Sequence, residues 1–190
     1  VIESDRTCYI MGEVWQGNAY RCRDAIFLSV GTGIGAGIMV NGEVMRGSHD
    51  IAGAVGWMAL ERPYFSEYNK CGCFEYRASG AGITALAREY LKEEPEYHGC
   101  LSNKPPEEIT TEDVFAAYEK YDPIASQIIN ISIQYWGMAL ANLISIFDPE
   151  LIIIGGGVFG PAWSLIQEIM EEAAKWAQPV SISKVDISPS

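Results

Sequence analysis

Seven glycines and one aspartate are the residues whose kinds and spacing could do chemistry. Gly31, Gly33, Gly35 and Gly37 alternate through the run GTGIGAG, directly after the apolar stretch AIFLSV at 25–30. A strand that ends in such a run can offer its backbone amides to phosphate oxygens, because glycine permits positive φ and no side chain blocks the approach. Thr32 adds a hydroxyl donor at the tip. A plain β-turn needs fewer glycines than four at alternate positions. The run also matches the pattern G-x-G-x-x-G/A, which holds a dinucleotide pyrophosphate when a helix opens on it. Here no helix follows. Ile38-Met39-Val40 leads into Asn41-Gly42 and then Glu43-Val44-Met45. An Asn-Gly pair between two short apolar runs is a strong hairpin signal. The unit is strand, glycine turn, strand, and a nicotinamide-dependent dehydrogenase is excluded on that ground.

The other three glycines, Gly155, Gly156 and Gly157, follow the most apolar strand candidate, Leu151-Ile152-Ile153-Ile154. Ligands of open α/β sheets sit beyond the carboxyl ends of strands. Two glycine turns after two buried strands could embrace one nucleotide, whereas a tight strand-to-helix connection needs one glycine or two. Asp5 is a carboxylate at the start of a helix expected over about 6–17, with Cys8, Met11 and Trp15 on one stripe. On local sequence it reads as that helix's N-cap; a carboxylate so placed could also accept a proton from a hydroxyl nucleophile.

The elements that must position these residues follow from the pattern. Strands are expected at 25–30, 38–40, 43–45, 57–60, 151–154 and 180–188, and glycine-rich loop at 46–56. Helices are expected at about 75–92, from Thr110 or Thr111 to about 120, from Pro123 to the residue before Asp148-Pro149, and at 161–176. Asp122-Pro123 is an N-cap followed by proline at the first helical position. In the long helix, Ile124, Ile128, Ile131 and Tyr135 form a core stripe. Strands alternating with helices make this an α/β fold.

Composition narrows the function. The chain has 190 residues, 48% hydrophobic and 20% charged, with a formal net charge of −12. That mix buries a core and is not that of a disordered chain. So acidic a surface repels phosphate backbones, which argues against nucleic acid as a partner of this portion. No run of about 18 uninterrupted apolar residues occurs, and nothing reads as a signal peptide, so no membrane association is expected. The five cysteines, scattered apart from Cys71 and Cys73, then read as reduced thiols of a cytoplasmic protein. Val1-Ile2-Glu3-Ser4-Asp5 reads as a strand end entering a turn, and Pro189-Ser190 as an interrupted loop. Both suggest one domain of a longer chain.

Taken in order, these pieces resemble the ROK family of sugar kinases and sugar-responsive repressors. The resemblance runs through Ile2-Glu3-Ser4-Asp5, with Ser4 in an Asn place, and through LSVGTGIGAGIMVNGEVMRG at 28–47. It continues through Ala52-Gly53-Ala54-Val55-Gly56-Trp57-Met58 where the family has A-G-E-x-G-H. Gly72-Cys73-Phe74-Glu75 and the stretch from Phe147-Asp148-Pro149 to Gly157 complete it. It implies a ribonuclease H-like, actin-like ATPase lobe with a mixed sheet flanked by helices. Residues 1–190 would be the C-terminal lobe of a bilobal, homodimeric protein, without the N-terminal lobe and the final helix.

The implied activity is ATP-dependent phosphorylation of a sugar, with Mg²⁺ on the triphosphate. Asp5 would be the general base. Gly31, Thr32, Gly33 and Gly35 would hold the phosphates, and Gly155, Gly156 and Gly157 the adenosine side. Ser4, Ala54, Trp57 and Glu75 would face the sugar. The departures matter as much. The family's sugar-binding Glu and His places are Ala54 and Trp57, so a sugar substituted at C1 or C2 is expected rather than free glucose. Trp57 would either stack on a sugar or fill core space. A structural zinc of the family uses one His and three Cys; here those places are Trp57, Ser66, Tyr68 and Cys73. Zinc needs about four ligands, so none is expected. The same substitutions make a sugar-sensing, catalytically silent regulator the alternative to a kinase.

Overall fold

The computed structural model describes residues 4–190, so the readings on Val1, Ile2 and Glu3 lie outside the described residues. In chain order the elements are α1 (Asp5–Gln16), β1 (Ala25–Val30), β2 (Ile34–Val40), β3 (Glu43–Val44), α2 (Cys73–Ala78), α3 (Gly80–Glu93), α4 (Thr111–Tyr118), α5 (Pro123–Phe147), β4 (Leu151–Gly155), α6 (Phe159–Ala162), α7 (Ile166–Ala174), α8 (Pro179–Ile182) and β5 (Asp186–Pro189). They form one five-stranded sheet in the order β3-β2-β1-β4-β5. The pairs β1–β2 and β2–β3 are antiparallel, while β1–β4 and β4–β5 are parallel. This is the mixed sheet flanked by helices that the sequence led us to expect.

Period-two alternation divides the core between the two faces. Ile26, Leu28, Val30, Ile152 and Ile154 point into the larger cluster, built with α2 to α5 and α7. Ala25, Phe27, Leu151 and Ile153 point the other way, onto Ile10 of α1. The 25-residue α5 is the mainstay of the larger face, with Asp122 capping its start at the Ala125 amide and Asp148 ending it at φ 44°. Of its core stripe, Ile124, Ile128 and Tyr135 are buried and Ile131 is partly so. On the smaller face α1 lies close to β2 because Gly37 has no side chain. A Cβ there would stand 2.2 Å from the Arg6 carbonyl oxygen. At the hairpin Asn41 and Gly42 both take positive φ, 55° and 83°, the conformation that such a tight turn requires.

Several local expectations are corrected. Ser4, not Asp5, caps α1, accepting from the Thr7 amide at 3.2 Å. The buried residues of α1 are Thr7 and Ile10, and Cys8, Met11 and Trp15 are exposed, because the helix meets the sheet along the other stripe. Residues 57–60 are not a strand. A 3₁₀ turn at Val55–Trp57 stands there, since Gly53 at φ 86° brings its carbonyl to the Ala36 amide and the chain is already paired to β2. The helix expected over 75–92 breaks in two at Ser79, which turns extended and caps α3 through the Gly82 amide. The 161–176 helix is interrupted by a 3₁₀ turn at Trp163–Leu165, and the 180–188 stretch divides into α8 and β5. Among the described residues no helix is long and apolar enough to cross a membrane.

Candidate functional site

The carboxyl ends of β1 and β4 are neighbours in the parallel pair, so the two glycine turns that follow them meet. The β1–β2 turn is braced from behind. Gly31 N donates to Gly33 O at 2.9 Å, Gly80 N to Gly31 O at 2.8 Å and Ala81 N to Thr32 O at 3.4 Å. Ile34 N donates to Glu75 Oε2 at 2.6 Å. The Gly31 and Thr32 carbonyls are thus taken up by the start of α3 and that of Gly33 within the turn, while the Thr32 and Gly33 amides keep no partner among the described residues. Gly31, Gly33, Gly35 and Gly37 do not adopt positive φ, contrary to the conformational role expected of them. At Gly33, Gly35 and Gly37 the requirement is steric, whereas a Cβ on Gly31 would meet open space. A Cβ on Gly33 would stand 2.8 Å from Glu75 Oε2, and one on Gly35 2.7 Å from Arg6 Cδ. In the second turn Gly156 does take positive φ, 97°, where its backbone passes the Val30 carbonyl.

Two adjoining clefts open at these turns. One, of about 590 Å³, is lined by Gly31, Thr32, Gly80, Thr84, Thr111 and Gly157 among others. The other, of about 390 Å³, brings Asp5 and Arg6 to residues 31–35 and Ser29. Gly31 and Thr32 line both, which joins them into one trough with Asp5 in the smaller part and Glu112 in the larger.

The sequence-derived residues divide accordingly. Asp5, Gly31, Thr32, Gly33 and Gly35 share the smaller cleft. Gly157 lines the larger one, whereas Gly155 closes β4, packed against Phe27 and Ser190. The Ser4 hydroxyl is engaged at 3.0 Å with that of Thr7. Glu75 stands between the β1–β2 turn and Gly56, so a single carboxylate joins the phosphate turn to the Gly56-Trp57 segment. Ala54 begins the 3₁₀ turn. Trp57 is 57% exposed and is not a core residue. Sequence reasoning missed Arg6, Thr84 and the cleft-facing role of Thr111, whose hydroxyl donates to Gly80 O at 3.2 Å. Nothing in their local spacing sets them apart; proximity arises from α1 docking on β2 for Arg6 and from α3 and α4 folding over the turn for Thr84 and Thr111.

The sequence matches the ROK family over residues 1–189. The chain belongs to the ROK family. It is 31% identical to a glucokinase of Halalkalibacterium halodurans, over 94% of this chain and 55% of that protein. It is 37% identical to a beta-glucoside kinase of Listeria innocua, over 83% and 49%. The chain therefore spans about half the length of the curated relatives it matches. A solved ROK family transcriptional regulator, a homolog of the E. coli MLC protein, superposes with a TM-score of 0.85 at 26% identity, covering 98% of this chain and 46% of that one.

At the places of the ROK zinc ligands the residues do not fit a zinc ion. Trp57 faces solvent. Of the four places only Cys73 offers a metal-binding sulfur, and it is buried; its neighbour Cys71 is not one of them. Tyr68 is buried and edge-packed on Tyr64, Phe65 and Tyr76. Arg77 lies 5.5, 5.9 and 5.6 Å from the Phe65, Tyr68 and Tyr76 ring centres. It also donates from Nε to Glu61 at 2.7 Å and to the Tyr68 hydroxyl at 3.2 Å. A cation stacked among three rings and paired with one carboxylate ties together a loop segment that metal ligands would otherwise cross-link. Arg77→Met in the full-length protein is expected to lower stability by about 2–4 kcal/mol, since it leaves the partly buried Glu61 carboxylate with the Tyr135 hydroxyl but without its cation. Arg77→Lys should recover little of this, because an ammonium lacks the planar fork. Denaturant unfolding of the two variants checks it, and a loss below about 0.5 kcal/mol in Arg77→Met would rule the arrangement out as a brace.

Proposed function

We propose that this chain is the nucleotide-binding lobe of an ATP-dependent sugar kinase. The observation that carries the reading is the trough itself: Asp5 opens onto the same cleft as the glycine turn of residues 31–35. The adenosine would occupy the larger cleft beside Gly157, and the phosphates would lie along residues 31–35. Mg²⁺ would travel on the triphosphate, neutralising it and keeping most of its water. The sugar oxygen attacks the γ-phosphorus, its proton passes to the Asp5 carboxylate, and the bond to the β-phosphate oxygen breaks to release ADP. Glu75 Oε2 is spent on the turn, which leaves Oε1 for a sugar hydroxyl. The relatives' other half, outside this chain, would close the cleft.

We further propose a substrate that carries a substituent at C1 or C2. Ala54 offers no carboxylate, and the exposed Trp57 offers an amphipathic face. Free glucose would leave hydroxyls unpaired there, each costing about 1–3 kcal/mol. The likeness to a beta-glucoside kinase, at 37%, supports this. In a coupled ADP-release assay of the full-length protein, a β-glucoside should exceed glucose in kcat/KM by at least about tenfold. Efficient glucose phosphorylation would overturn the substrate reading. Absence of turnover with every sugar would favour the second reading, a sugar-sensing regulator, which the likeness to a ROK transcriptional regulator supports.

A further inference from the structure

The two clefts hold an acidic protein's trough: Asp5 lines one and Glu112 the other. Arg6 is the one cationic side chain lining either. Its stem occupies the slot that Gly35 leaves, with Cδ 2.7 Å, Cγ 3.3 Å and Nε 3.8 Å from where a Gly35 Cβ would stand. Gly35 is therefore small because Arg6 lies on it. The three ion pairs seen among the described residues join Arg77 to Glu61, Lys104 to Asp113 and Lys175 to Glu172; none uses Arg6, and its guanidinium donates no hydrogen bond among the described residues. Only its backbone amide is engaged, donating to Asp5 Oδ1 at 2.8 Å. Its anchoring is good at the other end, since α1 is capped by Ser4 and held to β2 at Gly37.

A partly buried guanidinium without a partner among the described residues, laid across a glycine turn beside a carboxylate, is arranged to meet an anion from outside. Its planar fork of donors matches two oxygens of one phosphoryl group. We infer that Arg6 is a catalytic residue that grips the γ-phosphoryl group during transfer. This rests on the kinase reading. As the sugar oxygen gains its bond to phosphorus and the ADP oxygen loses one, charge spreads over the three equatorial oxygens, and a fixed cation there favours the transition state over the ground state. The proton goes to Asp5, so the two neighbours divide the work: one takes the proton, the other holds the charge.

The test uses the full-length protein and two variants, Arg6→Ala and Arg6→Lys. Equilibrium binding of ATP and ADP is measured first. Arg6→Ala should weaken ATP by at least about tenfold and leave ADP within about threefold, a result that does not depend on turnover. In steady state kcat should fall by about 10²–10³-fold with the sugar KM within about threefold. Arg6→Lys should restore part of the loss, and added guanidinium should restore part of it in Arg6→Ala. Equal weakening of ATP and ADP, or none, would overturn the inference. So would a raised sugar KM at unchanged kcat, which would assign Arg6 to the sugar instead. Should the wild type bind ATP yet phosphorylate no sugar, the kinase reading falls while the ATP–ADP comparison still decides what Arg6 contacts.

Discussion

Asp5→Asn in the full-length protein is expected to lower kcat by about 10²–10⁴-fold while leaving the melting temperature close to that of the wild type. The fold predicts the separation of the two effects. A carboxylate at a helix start would ordinarily be taken for a cap, and a capping aspartate lost to another residue costs about 0.5–2 kcal/mol. Here Ser4 accepts from the Thr7 amide and does that job. Asp5 is the first helical residue, exposed on the cleft, and its Oδ1 accepts from the adjacent Arg6 amide at 2.8 Å. Asparagine keeps an oxygen for that contact and loses about 0.3–1 kcal/mol of attraction to the helix dipole. What it cannot do is take the proton from the attacking hydroxyl. Turnover and thermal unfolding should be measured on the same preparation. Turnover within a few-fold of the wild type would remove Asp5 from the chemistry and leave it a surface residue.

Gly33→Val is expected to weaken ATP and ADP alike by about 30–100-fold, measured by titration of a fluorescent nucleotide. The cause is not a strained φ, since Gly33 lies outside the left-handed region. A Cβ there would stand 2.8 Å from Glu75 Oε2 and 3.2 Å from its Cδ. The Glu75 carboxylate must then swing away, and the Ile34 amide loses its 2.6 Å partner. One charge-assisted hydrogen bond holding a turn is worth about 1.5–3 kcal/mol, and valine's branches also crowd the Gly33 amide. The loss should appear equally for both nucleotides, in contrast to Arg6→Ala, which separates them. Unchanged affinity would show that nucleotide does not lie on this turn.

The sugar end proposed above follows the same logic. Trp57 stands out in solvent while the segment around it is tied down by Arg77, Glu61 and the Phe65, Tyr68 and Tyr76 rings. The substitutions that remove zinc donors at positions 57, 66 and 68 therefore have an internal counterpart. Aromatic packing and one partly buried ion pair hold the loop that follows Trp57.

Much of this protein was legible in the order of its residues. The strand at 25–30, the Asn41-Gly42 hairpin, the long helix opened by Asp122-Pro123 and the strand at 151–154 are local: each rests on periodicity or on a turn residue's own dihedral preference. So was the pairing of glycine turns with buried strands, and with it the phosphate site as a hypothesis. Other things depend on groups distant in sequence. Whether Asp5 or Ser4 caps α1 is a choice between adjacent oxygens, and the structure gives the Thr7 amide to Ser4. Which stripe of α1 is buried depends on how the helix docks on β2 at Gly37, and that docking chose Thr7 and Ile10 over Cys8, Met11 and Trp15. The reasons for Gly33 and Gly35 are Glu75 and Arg6, 42 and 29 residues away by number. No window of sequence contains both members of either pair, so local reasoning assigned those glycines to φ when their function is to leave room. Arg6 itself carries no signal in the chain; it becomes visible once β1, β2 and α1 are packed and its side chain lines the cleft with no partner among the described residues.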